Sequence, residues 1–183
     1  VSVWDLDSLN FMMNRYHLPF IKIPSACNQN SELIKECCLT RLPIIISTGM
    51  STQTETDCLV NTLTQNASQF VLMHTNSSYP AKDNELNLLM IPEFIKKYGC
   101  MVGYSGHEYG LDSTTVAVAL GAKVIERHIT LDHKMWGTDQ AASVQVDGMD
   151  KLAKQIHLVK EYMGTGEKKI YGSELAVMKK LRG

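Results

Sequence analysis

Short runs of apolar residues alternate with longer amphipathic stretches along the whole chain. The apolar runs predict five β-strands, at Phe20–Ser25, Pro43–Thr48, Gln69–Thr75, Met101–Ser105 and Lys123–Thr130. Because these runs are nearly continuous, they are typical of strands buried on both faces of a parallel sheet. Val1–Trp4 is interpreted as the tail of a further strand.

Apolar residues at helical spacing predict helices before, between and after these strands. The predicted helices are Asp7–Tyr16, Glu32–Leu39, Thr52–Thr64, Leu86–Tyr98, Ser113–Leu120 and Met149–Tyr162. Asp5 and Ser51 are predicted to cap the first and third of them, and Gly99 and Gly121 lie where helices should end. The chain therefore consists of repeated βα units, which are joined by right-handed crossovers.

Two α/β architectures fit this order, an open doubly wound sheet and a TIM (β/α)8 barrel. The G-x-G-x-x-G turn of a doubly wound dinucleotide-binding sheet is absent. Polar residues instead follow the C-terminal end of each strand, as in TIM barrels. A complete barrel needs eight units and about 250 residues. We therefore predict that residues 1–183 form one incomplete barrel domain, with about the C-terminal five βα units and without the first strands.

Composition narrows the function classes. The 183 residues are 44% hydrophobic and 20% charged, with a net charge of −1, which indicates a soluble globular protein. No basic stretch indicates nucleic acid, and no apolar run is long enough to cross a membrane. The five cysteines contain no C-x-x-C pair. They are interpreted as small buried residues of a cytoplasmic protein rather than as a disulfide framework.

Two histidines lie at the ends of neighbouring predicted strands, His107 in GYSGH and His128 in ERH. Neighbouring strands are about 4.8 Å apart, so the two imidazoles can converge on one cation. Glu126 should share a face of its strand with His128, and Arg127 should take the other face. A single histidine would more often be structural, but the pair predicts a metal site that water and substrate complete. The metal identity stays open among Mn²⁺, Mg²⁺ and Zn²⁺.

Lys22 lies inside an apolar strand, where an ammonium group is costly unless it meets an anion. It could form an ion pair inside the barrel, form a Schiff base, or bind an anionic ligand. Ser25, Ser47 and Thr48 add hydroxyl groups at neighbouring strand ends, and Gly49 allows close approach of the backbone. Together these groups predict a site for a phosphate or a carboxylate.

Two loops give weaker signals. Asn76, Ser77 and Tyr79 in HTNSSYP offer neutral hydrogen bonds, although ordinary loops contain the same residues. Trp136 in MWGTDQAAS is interpreted as part of a lid. Asp139 in the same loop is either a ligand near the metal or sugar, or a solvent-exposed carboxylate.

These segments together resemble the sialic acid synthase family, which comprises N-acetylneuraminate synthase and its legionaminate and pseudaminate synthase relatives. The motifs FIKIPS, IIISTGM, SSYP, GYSGHEYG, ALGAKVIERHITLD and GTDQAAS occur in the family's order, and the resemblance runs from about Val1 to Gly183. It implies a TIM barrel that uses Mn²⁺ or Mg²⁺. It also implies a reaction in which carbon 3 of phosphoenolpyruvate attacks the open-chain aldehyde of an N-acyl hexosamine, water adds at carbon 2, and phosphate leaves.

The resemblance also implies roles for individual residues. His107 and His128 match the metal ligands and, with Asp139 as a sugar contact near the metal, are the expected catalytic residues. The expected phosphoenolpyruvate contacts are Lys22, Ser25, Ser47, Ser77, Tyr79 and Ser105. Lys22 then acts as an electrostatic anchor rather than as a Schiff base.

Some features of the family differ or fall outside the chain. Ser2 stands where the family often has a threonine that contacts phosphate, and Gln140 stands where some members have histidine. The family's glutamate base, a second lysine and a glutamine belong to the first two strands. Its C-terminal antifreeze-like domain reaches the partner's sugar site in a homodimer. We therefore expect the 183 residues alone to have little or no synthase activity.

Two other functions stay open. One is a different phosphoenolpyruvate- or phosphate-binding barrel, such as an aldolase that uses Lys22. The other is a non-catalytic relative that binds sugar or metal, or serves in assembly. The sequence also leaves the sugar open among N-acetylmannosamine, its 6-phosphate and a diacetamido sugar.

Overall fold

The computed structural model describes residues 2–183; Val1, the first residue of the predicted strand tail, lies outside the described residues. The helices and strands in chain order are α1 Leu6–Arg15, β1 Ile21–Ile23, α2 Ser31–Leu39, β2 Ile44–Ser47, α3 Gln53–Asn66, β3 Phe70–Thr75, α4 Met90–Tyr98, β4 Met101–Gly106, α5 Asp112–Ala119, β5 Val124–Arg127, β6 Ile129–Thr130, β7 Val144–Gln145, α6 Val146–Met163 and α7 Gly172–Arg182.

Strands β1 to β5 form one parallel sheet in sequential order, which confirms the predicted βα repeats. The sheet is strongly curled, because Nζ of Lys22 on β1 lies 3.6 Å from Oε1 of Glu126 on β5. In a flat sheet the first and fifth strands would be about 19 Å apart. The first and fifth strands therefore face each other across an interior, and the sheet is an incomplete TIM barrel, as predicted.

A short segment continues this wall beyond β1. Ser2 forms a parallel bridge with Lys22, and the N–H of Val3 donates a hydrogen bond of 3.0 Å to the carbonyl of Lys22. The described part of the predicted strand tail therefore lies beside β1, where a preceding barrel strand belongs.

The hydrophobic core lies between the outer face of the sheet and the helices. Its fully buried strand residues are Ile21, Ile23, Ile44, Ile46 and Leu72, and they pack with Leu33, Leu63 and Ile91 from the helices. Because side chains alternate along a strand, the residues between these isoleucines point into the barrel. This alternation places the polar residues Lys22 and Ser47 in the interior.

Thr52, and not Ser51, caps α3. The Thr52 side chain accepts a hydrogen bond from the N–H of Glu55, and the Glu55 carboxylate accepts one from the N–H of Thr52. The predicted cap was wrong by one residue, because this reciprocal capping box decides between two adjacent hydroxyl residues. Ser51 instead accepts a hydrogen bond of 2.8 Å from the side-chain amide of Asn28.

Replacement of Thr52 by alanine should lower the free energy of unfolding by about 1 kcal/mol, because it removes this cap. Chemical denaturation measures the change. Thr62→Ala is the matched control, since Thr62 is an exposed residue within the same helix and alanine is the better helix former there. An equal loss of stability in both variants would show that the capping box does not contribute.

The fourth predicted helix begins later than expected, and the last helix was not predicted. Asn87 has a left-handed backbone, with φ of 46°, so the helix predicted from Leu86 begins only at Met90. Gly99 ends this helix with φ of 62°, as predicted. Leu175 and Leu181 of the unpredicted α7 are exposed, so this helix buries no apolar stripe.

The fifth predicted strand divides at His128. Residues before it form β5 in the barrel wall, and residues after it form β6, which pairs with β7 in a separate two-stranded sheet. The carbonyl of His128 accepts a hydrogen bond of 2.7 Å from the N–H of Val144. His128 therefore lies where the chain leaves the barrel wall.

Two sequence expectations concern the whole chain. Within residues 2–183, no helix is both long enough and apolar enough to cross a membrane.

All five cysteines are free, and Cys27, Cys37 and Cys38 are buried. Burial raises the pKa of the Cys37 thiol to about 12. The expectation of burial is wrong for Cys58, which is exposed on α3.

Candidate active site

A cavity of about 390 Å³ lies at the carboxyl ends of the barrel strands. It collects almost all of the predicted site residues: Ser25, Ser47, Ser77, Tyr79, Ser105, His107, His128 and Asp139. Ser2 also lines it. Trp136 does not line it and is 98% exposed, so the structure does not place the predicted lid residue over the cavity.

A larger cavity of about 850 Å³ lies beside it, between the start of α3 and the segment before α4. The two cavities share Met50, Thr75 and Ser77. The larger cavity is lined by neither of the paired histidines and, of the site residues that the family resemblance implies, only by Ser77. The smaller cavity is therefore the better candidate for the chemistry.

Lys22 reaches this cluster from the interior of the barrel. Its ammonium group donates hydrogen bonds of 2.8 Å to Oγ of Ser47 and 3.1 Å to the carbonyl of Ile23. It also lies 3.6 Å from the carboxylate of Glu126. Burial lowers the pKa of Lys22, and the negative charge of Glu126 partly opposes this shift. The side chain thus forms the interior ion pair that was one of the sequence alternatives.

Glu126 connects this ion pair to the fourth strand. Its carboxylate accepts a hydrogen bond of 2.9 Å from Oγ of Ser105, which lies beside it in the register of β4 and β5. The side chain of Arg127 takes the opposite face of the strand, as predicted. It forms an ion pair with Glu108, which the sequence did not indicate. Lys22, Ser47, Ser105 and Glu126 therefore form one polar chain across the barrel interior.

Ser25, Gly49 and Ser77 form a small cradle at the edge of the cavity. The N–H of Gly49 donates a hydrogen bond of 3.0 Å to Oγ of Ser25. A Cβ at Gly49 would overlap Oγ of Ser77 and come within 2.7 Å of Oγ of Ser25, so the turn requires glycine. Oγ of Ser77 is buried and has no partner among the described residues. A buried hydroxyl without a protein partner is free to donate a hydrogen bond to a bound polar group.

Thr48 and Asn76 have structural roles that the sequence did not indicate. Oγ1 of Thr48 donates to the carbonyl of Met73 at 2.9 Å, so it is not free for a ligand as expected. The side-chain amide of Asn76 donates to the carbonyl of Glu85 at 3.1 Å and its side-chain oxygen accepts from the N–H of Ser78 at 2.9 Å. Both side chains thus stabilise the strand ends, and neither lines the smaller cavity that contains the histidines.

His107 and His128 meet at the same rim of the barrel. Their ring centroids are 5.1 Å apart and their planes are perpendicular. Nδ1 of His107 donates a hydrogen bond of 2.6 Å to the carbonyl of Asn76, which leaves Nε2 with its lone pair. Burial lowers the pKa of His107, and the hydrogen bond to Asn76 partly opposes the shift. The neutral ring is thus oriented with one nitrogen available as a ligand.

Tyr79 packs against both histidines. Its ring stacks on His107 with centroids 4.1 Å apart, and its hydroxyl lies 3.1 Å from Nε2 of His107. Burial and the charges of Asp139 and Glu126 raise the pKa of this phenol. The protonated hydroxyl can therefore donate to Nε2, and a cation that binds this nitrogen must displace it.

Asp139 comes to the same rim from the loop between β6 and β7. Its Oδ2 lies 3.5 Å from Nδ1 of His128. Oγ1 of Thr138 donates to its other carboxylate oxygen at 2.8 Å, and Oγ of Ser143 donates to its carbonyl at 2.8 Å. Position alone left Asp139 equally open as a ligand or a solvent-exposed residue, and the structure brings it to the cavity.

A family model described as the NeuB family matches residues 1–168 of the chain.

The chain belongs to the NeuB family.

Its relatives carry related names. The chain is 37% identical over 174 residues to N,N'-diacetyllegionaminic acid synthase of Campylobacter jejuni. The match covers 93% of this chain and 52% of the relative. The chain is also 34% identical over 173 residues to N-acetylneuraminate-9-phosphate synthase of Homo sapiens, and that match covers 92% of this chain and 47% of the relative. The chain thus spans about half the length of the curated relatives it matches.

A solved structure agrees with the barrel. The N-acetylneuraminic acid (sialic acid) synthetase from Leptospira borgpetersenii superposes with a TM-score of 0.87 at 28% identity. The match covers 99% of this chain and 64% of that one. The resemblance to sialic acid synthases and the incomplete TIM barrel are both confirmed.

The rim of this NeuB-family chain fits the divalent cation that the family resemblance implies. No group of three or more histidine, cysteine, aspartate or glutamate side chains forms a metal site within residues 2–183. The rim offers two imidazoles with a carboxylate beside them, and the Nδ1 proton of His107 is already committed to a carbonyl. Such a donor set suits a cation with open coordination positions for water and substrate.

Sequence reasoning missed Asn28, which organises the strand end of this NeuB-family chain. Asn28 is 3% exposed, and its amide donates to the carbonyls of Ser47 and Gly49 at 3.0 and 3.2 Å. It therefore holds the turn that forms the cradle. No spacing pattern marks it, because a single asparagine after a strand is common in ordinary loops.

Proposed function

We propose that this chain carries the phosphate and metal sites of a synthase that condenses phosphoenolpyruvate with an N-acyl amino sugar. The observation that carries the proposal is one cavity in which several serine hydroxyls, one of them bonded to the ammonium group of Lys22, meet a pair of histidines. The names of the NeuB-family relatives support the sugar class. The relatives are about twice as long, so activity is assigned to the full-length protein, meaning a chain of their length that contains these residues.

The cradle and Lys22 would bind the phosphate of phosphoenolpyruvate. Lys22 supplies a buried positive charge, and the unpartnered Oγ of Ser77 supplies a donor. Ser25 and Ser47 add hydroxyl groups from the two neighbouring strand ends. These groups would stabilise the negative charge of the bound phosphate through hydrogen bonds and one positive charge, and would stabilise phosphate as a leaving group when water has added at carbon 2.

His107 and His128 would hold Mn²⁺ or Mg²⁺, and Asp139 would contact the amino sugar beside it. When bound, the cation supplies Lewis acidity toward the aldehyde oxygen of the open-chain sugar. Asn76 fixes the orientation of the His107 ring through its carbonyl. The hydroxyl of Tyr79 lies at the same rim, where it would exchange its hydrogen bond with His107 for one with the substrate.

The contacts of Lys22 favour an anchor over a Schiff base. Its ammonium protons are shared among Ser47, the carbonyl of Ile23 and Glu126, and each of these contacts stabilises the charged form. Borohydride trapping of the full-length protein with pyruvate or another keto substrate separates the two roles. We expect no covalent adduct, and an adduct at Lys22 would favour the aldolase.

The proposal is tested by phosphate release from phosphoenolpyruvate by the full-length protein with Mn²⁺. The sugars to compare are N-acetylmannosamine, its 6-phosphate and a diacetamido hexosamine. We expect phosphate release only when one of these sugars is present, and loss of release with EDTA. Sugar-independent release, or none with any of the three sugars, would contradict the proposal. The 183 residues alone should show little or no turnover.

Replacement of Gly49 by alanine should lower kcat/KM for phosphoenolpyruvate by up to about 100-fold, because displacement of positioning groups by about 1 Å can be that costly. The new Cβ would push Ser25 and Ser77 out of the cradle. Steady-state kinetics with the sugar held at saturation measures the effect. Gly172→Ala is the matched control, because a Cβ there meets no atom within 4 Å. Equal kcat/KM values for phosphoenolpyruvate in both variants would show that the cradle does not bind the phosphate.

Two further properties belong to this proposal. We expect the full-length protein to act as a homodimer, as the family resemblance implies. We also expect it to work in the cytoplasm, where phosphoenolpyruvate is formed. Size-exclusion chromatography with light scattering and subcellular fractionation measure these two properties.

A further inference from the structure

A buried ion pair joins the two strand ends that carry the histidines, on the outer side of the barrel wall. Glu108 has no solvent exposure, and the side chain of Arg127 is 1% exposed. Nη1 of Arg127 lies 3.0 Å from Oε1 of Glu108. Glu108 directly follows His107, and Arg127 directly precedes His128. The pair therefore connects the immediate neighbours of both imidazoles.

Arg127 bonds to main-chain carbonyl groups in addition to its ion pair with Glu108. Its Nη2 donates a hydrogen bond of 2.8 Å to the main-chain carbonyl of Glu108. Its Nη1 donates to the carbonyl of Gly110 at 3.1 Å and to Oγ1 of Thr114 at 2.8 Å. One rigid guanidinium on β5 thus holds the segment that follows His107 at three points.

Glu108 is held equally firmly from its own side. Its carboxylate accepts a hydrogen bond of 2.8 Å from the hydroxyl of Tyr104 and another from Oγ of Ser113. A Cβ at Gly106 would come within 2.9 Å of both carboxylate oxygens, so the residue before His107 must be small for Glu108 to pack there. The Glu108 carboxylate is thus held by two hydroxyl groups and packs directly against the residue before His107.

Stability alone does not require such a pair, because apolar residues of similar volume often replace a buried ion pair without loss. The Nε of Arg127 is also buried without a partner among the described residues, which is a further cost of burying this side chain. What an apolar pair would not supply is a directional link between the strand ends of β4 and β5.

We infer that Glu108 and Arg127 are positioning residues that set the separation and orientation of the His107 and His128 imidazoles. The inference rests on the proposed function, in which these imidazoles hold the cation. Neither residue lines the cavity that contains the histidines, so both act through the backbone of their neighbours.

The test compares Arg127→Met with the double variant Glu108→Gln, Arg127→Met in the full-length protein. Arg127→Met leaves a buried carboxylate unpaired, so it should lower Tm and weaken Mn²⁺ binding by about tenfold, as removal of an orienting contact typically does. The double variant removes the unpaired charge and should recover much of the Tm. Its Mn²⁺ affinity should stay low, because the link between the strand ends is still missing.

Three readouts separate positioning from stability. Titration followed by electron paramagnetic resonance gives the Mn²⁺ affinity, and steady-state kinetics should show a larger effect on kcat than on the KM for phosphoenolpyruvate. Hydrogen exchange of the metal-free protein should quicken at residues 105–110 and 126–130. Leu63→Ala is the control for stability. Leu63 is fully buried on α3, so its replacement should lower Tm without these local changes.

Recovery of Mn²⁺ affinity together with Tm in the double variant would overturn the inference, as would unchanged affinity in Arg127→Met. If Arg127→Met does not fold, Arg127→Lys keeps the charge but loses the forked contact, and the same loss of Mn²⁺ affinity is expected. Absence of condensation in the wild-type protein would refute the proposed function alone. Mn²⁺ affinity and hydrogen exchange would then still decide the positioning role.

Discussion

Replacement of His107 by alanine is expected to weaken Mn²⁺ binding by at least about 100-fold, since even removal of a residue that only orients a metal ligand costs about 10–100-fold. His107 is the better oriented of the two imidazoles, because its Nδ1 is held by the carbonyl of Asn76 at 2.6 Å. Turnover of phosphoenolpyruvate and amino sugar by the full-length protein should fall by a similar factor or more. Titration of Mn²⁺ and phosphate release measure the two effects.

His157→Ala is the matched control for this substitution. His157 is an exposed residue of α6 whose Nδ1 bonds the carbonyl of Ala153 within the same helix. We expect Mn²⁺ affinity and turnover to stay at the wild-type level in this control. Wild-type Mn²⁺ affinity in His107→Ala, combined with a normal fold by circular dichroism, would remove His107 from the metal site.

Replacement of Lys22 by methionine is expected to lower kcat/KM for phosphoenolpyruvate by about 10²–10³, the cost of removing one charge-stabilising donor from an active site. Methionine keeps most of the length and apolar contacts of the side chain but removes the ammonium group. Glu126 then loses its cationic partner at 3.6 Å, which increases the negative charge that faces the incoming phosphate. Mn²⁺ affinity should change little, because Lys22 is not a metal ligand.

Lys82→Met is the control for loss of a positive charge. Lys82 lies in the segment before α4, is largely exposed and pairs with Glu85 at 3.1 Å. We expect its kcat/KM to stay within about twofold of wild type, since exposed ion pairs contribute little. If Lys22→Met also stays within that range, phosphate must be bound elsewhere.

The wall of the barrel is predictable from sequence because its strands are local apolar runs. Ile44–Ser47 and Phe70–Thr75 both fall inside the predicted ranges. The division of the fifth strand at His128 was not predictable in this way. It depends on the pairing of Ile129 with Val144, and the intervening loop gives no periodic signal.

In the candidate site, too, some features could be predicted from the sequence and others could not. Residues at strand ends could be placed together in advance, because parallel strands bring their carboxyl ends to one edge, and His107, His128 and Ser105 lie in the predicted cluster. The pairing of Lys22 with Glu126 depends on how far the sheet curls, which no local pattern specifies. The contact of Asn28 with the turn after β2 likewise forms only once two segments about 20 residues apart in the chain have packed together.

The most direct test of a shared phosphate and cation site is a crystal structure of the full-length protein with Mn²⁺ and phosphoenolpyruvate, with an anomalous difference map that locates manganese. We predict a manganese peak bound by His107 and His128, with the phosphate against Lys22 and the cradle of Ser25, Gly49 and Ser77. Manganese bound away from both histidines, or a phosphate that does not contact Lys22, would contradict the proposed site.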